Sequence, residues 1–275
     1  MRYSELFSAS LRRLKPGEWP TAVEVLIEKA FSITRSQFWI RKNQPVRDAA
    51  GLRKFRRYFK RLLANEPLAY ILREKEFFGE VFAVSPAVLI PRPETELLVE
   101  KALALVGGRP ARILDIGAGS GNISIIMALK TPSTVTAVDA SRPALRVLKK
   151  NIARFGLQKR ITALAADLFP KGRGPFDMII ANPPYLSRQD WNEMPAGIRD
   201  FEPKAALLAG LAGTETLARI IAGAADYLAP GGHLLLEIGH GQLRAVRALL
   251  RSAGLRETEA IRDYAGIARV IVAYR

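Results

Sequence analysis

Four residues in the second half of the chain, Asn182-Pro183-Pro184-Tyr185, have types and spacing suited to gripping a planar nitrogen. An amide or exocyclic amine nitrogen is a poor nucleophile because its lone pair is delocalised, and it carries two N–H donors. Asn182 offers a side-chain carbonyl, and Pro183 offers a backbone carbonyl held stiffly because the ring fixes φ. Two acceptors can hold both donors and turn the lone pair toward an electrophile. Tyr185 offers a flat ring against the planar group. The plain alternative is a turn, since Asn-Pro favours turn initiation. That reading explains the prolines but not the whole tetrapeptide. The run Asp177-Met178-Ile179-Ile180-Ala181 has the composition of a buried strand and leads directly into it. In an open α/β sheet, ligands sit at the carboxyl ends of strands. Asn182, Pro183, Pro184 and Tyr185 are therefore expected to bind the substrate, with Asn182, Pro183 and Tyr185 catalytic.

A second cluster lies upstream. Arg112 to Ile116 reads as a strand, followed by Gly117-Ala118-Gly119-Ser120-Gly121 and then a helix. Glycines permit a tight turn and let backbone approach a ligand closely. Val138-Asp139 ends the next strand-like run, and Asp139 stands 18 residues past Gly121. A carboxylate there can accept both hydroxyls of a ribose. A glycine loop alone is a weak signal. Here Asp115 precedes three alternating glycines, whereas the dinucleotide fingerprint places two residues before its third glycine. The Asp-x-Gly-x-Gly-x-Gly form resembles motif I of class I methyltransferases. That resemblance implies S-adenosylmethionine as cofactor, held by Gly117, Ala118, Gly119, Ser120, Gly121, Asp139 and Asn182. It also implies an adenine contact from Asp167, with Leu168 packing nearby. The same methyl-donor chemistry suits the acceptor loop. A sulfonium methyl is already activated, so the protein's task is mainly positioning.

The elements that must hold these loops follow from periodicity. From Ala111 onward, apolar strand-like runs at Arg112–Ile116, Thr134–Val138, Ile161–Ala166, Phe176–Ala181, His233–Ile238 and Ala268–Ala273 alternate with helical stretches. This is the pattern of an α/β domain with a largely parallel sheet. A helix is expected from about Glu94 to Gly107-Gly108, with acids in its first turn. Residues 76–84 read as two short strands around a glycine turn. The first 75 residues read as helices: Ala22, Val23, Leu26, Ile27 and Ala30 share one face, and Leu52, Phe55, Phe59, Leu62 and Leu63 another. The expected organisation is a helical domain over 1–75, a β-hairpin linker over 76–88 and a Rossmann-like domain over 89–275.

Charge and composition narrow the partners. The net charge is +16, and residues 1–75 hold 17 Lys and Arg against 7 Asp and Glu, an excess of +10. Such a surface attracts acidic proteins or polyanions, or simply keeps the chain soluble. There is no cysteine, which excludes disulfides, thiolate zinc sites and cysteine nucleophiles. His233 and His240 do not make a metal cluster, and no metal site is expected. Met1–Trp19 lacks an uninterrupted apolar core, so no secretory signal is expected. No run approaches the roughly 20 apolar residues of a membrane span.

The acceptor tetrapeptide alone leaves glutamine and adenine open, since DNA adenine-N6 methyltransferases carry it too. Further segments decide. Glu66-Pro67-Leu68-Ala69-Tyr70-Ile71, Glu76-Phe77, Leu89-Ile90-Pro91-Arg92-Pro93-Glu94-Thr95-Glu96, Glu202-Pro203, Glu237-Ile238-Gly239, Gln242, Asp263, Gly266 and Arg269 resemble the release factor glutamine methyltransferases. The Pro91–Glu96 segment is the most discriminating. The resemblance implies a class I methyltransferase fold with a seven-stranded, mostly parallel sheet and a small N-terminal helical domain. It implies N5-methylation of the glutamine in the Gly-Gly-Gln motif of class I peptide chain release factors. The protein would then be cytoplasmic and monomeric, with no membrane partner and no direct nucleic-acid binding. Two positions depart from the family. Arg73 replaces the usual glycine after the Tyr-Ile pair, and Leu168 stands where some members carry tryptophan. The alternative reading is an adenine-N6 methyltransferase acting on DNA or RNA.

Overall fold

The computed structural model describes residues 1–14 and 20–275. The segment Met1–Trp19, read above for a targeting signal, lies partly outside those residues. The described residues form two compact units, Met1–Arg73 and Glu74–Arg275.

The first unit is helical: α1 (Tyr3–Leu11), α2 (Pro20–Phe31), α3 (Arg35–Arg41), α4 (Ala49–Leu63) and α5 (Leu68–Leu72). Its helices start where side chains satisfy free backbone N–H groups. Thr34 accepts from Gln37 N at the start of α3, and Asp48 accepts from Gly51 N at the start of α4. The core takes Val23, Leu26 and Ile27 from α2 and Phe55 and Phe59 from α4. Leu52, Leu62 and Leu63 pack at its margin. The opposite side of α4 leaves Arg53, Arg56, Arg57 and Lys60 exposed. Arg61 instead pairs with Glu66 through two bonds of 2.5 and 2.6 Å. Helix α5 ends at Arg73, whose φ of 62° lies in the left-handed region. That conformation favours glycine, so the departure at Arg73 falls where the missing side chain has a physical purpose.

The second unit opens with a hairpin, β1 (Glu74–Phe77) and β2 (Glu80–Ala83). Phe78 and Gly79 join them with φ of 53° and 76°, both left-handed. Helix α6 (Glu94–Val106) follows and ends at left-handed Gly107. The chain then alternates through β3 (Arg112–Ile116), α7 (Asn122–Lys130), β4 (Thr134–Asp139), α8 (Arg142–Arg154), β5 (Ile161–Ala165) and β6 (Phe176–Ala181). A short excursion carries β7 (Leu186–Ser187), α9 (Arg188–Glu193), α10 (Ala196–Arg199) and β8 (Leu208–Gly210). The unit closes with α11 (Glu215–Tyr227), β9 (Leu228–Glu237), α12 (Leu243–Ser252), β10 (Arg256–Arg262) and β11 (Ala268–Tyr274).

Among the described residues, seven strands form the main sheet in the order β10-β11-β9-β6-β3-β4-β5. All neighbours pair in parallel except β11, which runs antiparallel to β9 and β10. Alternate residues of each strand feed the two faces. Ile113, Val135, Met178 and Ile180 pack under α6, α7 and α8. Leu114, Ile116, Ile179 and Leu234 pack under α11 and α12. Both faces are thus covered, which is why the central strands read as nearly continuous apolar runs. Strand β10 was not foreseen. Its sequence, Arg-Glu-Thr-Glu-Ala-Ile-Arg, is polar because it forms the sheet edge, bulged between Glu257 and Glu259.

Candidate active site

Neighbouring strands β3 and β6 end side by side, with Ile116 opposite Ala181. From β3 the sheet grows in one direction toward β4 and β5, and from β6 in the other toward β9. Loops leaving this pair diverge and open a crevice at the strands' carboxyl ends. The glycine loop leaves β3 there and the acceptor tetrapeptide leaves β6.

The glycine loop is shaped by backbone bonds. Gly117 N and Ala118 N both donate to Val138 O at 2.9 Å. Gly117 has φ of 74°, and a Cβ there would meet nothing within 4 Å, so its α-carbon faces open space. Gly121 has a different reason. A Cβ there would lie 2.4 Å from Leu148 Cδ1, so this glycine brings α7 against α8. Asp139 braces the loop: Oδ2 accepts from Gly119 N at 2.9 Å and Oδ1 from Ser141 N at 2.8 Å. A carboxylate has about four lone-pair sites, so two remain for ligand hydroxyls. Asp115 is wholly buried beneath the loop, with Oδ2 accepting from Ser124 N at 3.1 Å and Oγ at 2.5 Å. Burial pushes its carboxyl up to about 6 despite those donors, and Oδ1 has no protein partner.

A cavity of about 520 Å³ fills the crevice. Gly117, Ala118, Gly119, Ser120, Asp139, Asp167, Leu168, Asn182 and Pro184 border it, so both predicted clusters meet at one space. Gly121, Pro183 and Tyr185 stand behind its wall, Pro183 being buried. Asp167 reaches the cavity with its carboxylate paired to Arg219 at 2.7 Å. Leu168 has φ of 69°, an uncommon conformation for a branched residue, as strained backbone at ligand sites often is.

The acceptor loop is held from behind. Gln242 Nε2 donates to Tyr185 O at 2.8 Å and to Gly213 O at 3.0 Å. Burial, then the nearby Glu237 carboxyl, pushes the Tyr185 phenol up to about 12, so it is a neutral ring at any working pH. Asn182 Nδ2 donates to Thr95 Oγ1 at 2.9 Å, and the Thr95 hydroxyl donates to Glu237 Oε2 at 2.7 Å.

The segment before α6 forms part of the same wall. Arg92 donates to Glu202 at 2.5 Å, and Glu202 also accepts from Ile90 N at 3.2 Å. Glu96 accepts from Phe78 N at 2.8 Å, tying the hairpin turn to α6. Sequence reasoning left these residues without roles, and it placed Thr95, Glu202, Glu237 and Gln242 only in matching segments. Little local announces them: apart from the Gln242 contact with Gly239 N, their side-chain partners lie 29–142 residues away. Among the described residues no group of His, Asp or Glu could hold a metal ion.

Comparison with known proteins gives the family and the fold. The model "PrmC N-terminal domain" matches residues 5–72, and "Methyltransferase small domain" matches 93–197. A release factor glutamine methyltransferase of Bordetella pertussis is 44% identical, with 87% of this chain and 90% of that protein covered. The one from Salmonella typhimurium is 36% identical over 98% of each chain. The chain belongs to the release factor glutamine methyltransferase family. Solved structures share the family's catalytic fold at lower identity. A methyltransferase from Pyrococcus furiosus matches 78% of this chain and 96% of its own, with 19% identity and a TM-score of 0.55. A T. thermophilus 16S rRNA methyltransferase solved with AdoMet and guanosine matches 74% of this chain and 49% of its own, with 21% identity and a TM-score of 0.54. These likenesses support the class I methyltransferase fold.

Proposed function

We propose that the protein transfers the methyl group of S-adenosylmethionine to the side-chain nitrogen of the glutamine in the Gly-Gly-Gln motif of class I peptide chain release factors, acting as a cytoplasmic monomer on protein rather than nucleic acid. The observation that carries this reading is that the glycine loop and Asn182 and Pro184 of the acceptor tetrapeptide border one cavity of about 520 Å³. Relatives at 36–44% identity are named release factor glutamine methyltransferase, which supports the reading. Among the described residues no helix is long and apolar enough to cross a membrane.

The cavity residues fit the cofactor. Gly117 and Gly119 let backbone lie close to it, Asp139 can accept from the ribose hydroxyls, and Asp167 and Leu168, which border the same cavity, are assigned to the adenine by resemblance. S-adenosylmethionine supplies, when bound, a methyl group already activated on a sulfonium. The chain's own residues handle the acceptor. Asn182 Oδ1 and the Pro183 carbonyl accept the two N–H bonds of the glutamine amide, with the Tyr185 ring backing the loop. The nitrogen gains positive charge as it is methylated, so these carbonyls bind the transition state more tightly than the ground state. Its proton then leaves to water. No side chain needs to act as a strong base.

The test is incubation with tritium-labelled S-adenosylmethionine, a class I release factor, DNA and RNA. Label is expected on the Gly-Gly-Gln peptide of the factor. Label on nucleic acid with none on the factor would overturn the reading in favour of adenine methylation.

A further inference from the structure

Asn182 can grip a substrate amide only if its own carbonyl faces the substrate. An asparagine amide has two ends of nearly equal size, and one must be turned away. Donor counting fixes which. Glu237, 2% exposed, can only accept when ionised. Thr95, 1% exposed, has one hydroxyl proton, spent on Glu237 Oε2 at 2.7 Å. The Thr95 oxygen is then an acceptor, and Asn182 must present Nδ2 to it, as it does at 2.9 Å. The three groups come from three elements: the first turn of α6, the end of β9, and the loop one residue past β6. Strands β6 and β9 are paired neighbours, with Ala181 opposite Leu236, so the sheet itself sets Glu237 beside Asn182.

We infer that Thr95 and Glu237 are positioning residues that lock the Asn182 amide with its carbonyl toward the substrate nitrogen. This rests on the glutamine reading of the acceptor loop, since the locked carbonyl is the group that accepts the substrate N–H.

The lock is reversible in principle by a single proton. Burial holds the Glu237 carboxyl up to about 7, with Glu94 adding to the shift and Thr95, Arg269 and Arg92 opposing it; Tyr185 faces the same group from the acceptor loop. Protonated Glu237 can donate to Thr95, which frees the threonine proton to point at Asn182. The stable arrangement then has Asn182 Oδ1 against Thr95 and Nδ2 toward the substrate, where it repels an N–H. Activity should therefore need ionised Glu237, with kcat/KM rising about tenfold per pH unit below about 7 and level above.

The experiment uses the full chain and a short peptide carrying Gly-Gly-Gln, with four variants. Thr95→Val removes the hydroxyl, and its kcat/KM should fall at least tenfold while the Kd for S-adenosylmethionine stays within about twofold. Thr95→Ser keeps the hydroxyl and should restore activity, which separates the lock from packing damage. Glu237→Gln, neutral at every pH and able to accept from Thr95 or donate to it, should fall below the wild-type plateau and lose the inflection near pH 7. Selective ¹⁵N labelling of asparagine supplies a readout independent of turnover. The Asn182 side-chain amide signal, assigned by its absence in Asn182→Asp, should titrate near pH 7 in the wild type and not in Glu237→Gln. If the wild type methylates the peptide and Thr95→Val does so equally well, the lock is wrong and the glutamine reading stands. If the wild type modifies neither the peptide nor an intact release factor, the glutamine reading fails, and an Asn182 signal indifferent to pH and to Thr95→Val would sink the lock separately.

Discussion

At the scale of single residues, the site depends on which polar atoms are free and which are committed. Asn182→Ala removes the side-chain acceptor without touching the glycine loop. Its kcat should drop roughly 10²–10³-fold, as for loss of one preorganised transition-state partner. Cofactor affinity, measured by calorimetry, should stay within a few-fold. Unchanged turnover would remove Asn182 from the grip on the amide. Glu237 also carries a stability signature. Its carboxyl is raised to about 7 in the folded protein against 4.5 in the unfolded chain. Between those values the native state binds more protons than the unfolded state, so this group's contribution to stability falls as pH rises from about 4.5 to 7 and is level above. Glu237→Gln lacks that loss. Relative to the wild type it should gain on the order of 3 kcal/mol between pH 4 and pH 8, read as the change in melting-temperature difference. A difference that does not vary with pH would show Glu237 to be ordinarily ionised.

At the scale of elements, what the sequence made legible is what chain-local rules control. Alternating apolar runs gave β3, β4, β6 and β11, and Gly107 marked the end of α6. The two loops that meet at the cavity were readable because each is a short motif next to a strand end. The edge strand β10 was not, since an exposed edge carries no apolar period. The Arg92–Glu202 pair and the Thr95–Glu237 contact were not either, because they join segments 110 and 142 residues apart. Their burial cannot be read before the sheet order is known. The Arg92–Glu202 pair also sets a testable load on the loop before α6. Glu202 is 5% exposed, so Arg92→Ala leaves a buried carboxylate with Ile90 N as its remaining hydrogen bond. A loss of about 1–3 kcal/mol is expected in urea denaturation, and Arg92→Ala paired with Glu202→Gln should cost less than Arg92→Ala alone. The end of α5 carries the opposite opportunity. Arg73 pays for a left-handed φ of 62° that glycine adopts freely. Relief of the left-handed strain less glycine's entropy cost leaves Arg73→Gly stabilising the protein by about 0.5–1 kcal/mol, and a loss of stability would mean that the arginine side chain makes up the difference.

At the scale of the whole molecule, each unit has apolar residues enough for a core of its own. The first packs Leu26, Ile27, Phe38, Phe55 and Phe59 together. The second buries both faces of its sheet. Every group assigned to the cofactor or the acceptor lies in Glu74–Arg275, whereas +10 of the net charge of +16 lies in residues 1–75. Chemistry and charge are therefore divided between the units. The exposed Arg53, Arg56, Arg57 and Lys60 on α4 follow helical spacing of three and four residues, so they form one stripe that can meet an acidic surface. If that stripe engages the protein substrate, removing the first unit should weaken recognition and spare the chemistry. A fragment of residues 74–275 should unfold cooperatively and bind S-adenosylmethionine within about threefold of the full chain. On an intact release factor its kcat/KM should fall more than tenfold, with most of the loss in KM, whereas on a short Gly-Gly-Gln peptide the two should be nearly equal. The full chain's advantage should also shrink as salt rises from 0.05 to about 0.5 M, where the screening length falls below about 5 Å. Equal efficiency on the intact factor at low salt would take the helical unit out of substrate recognition and reduce its charge to a matter of solubility.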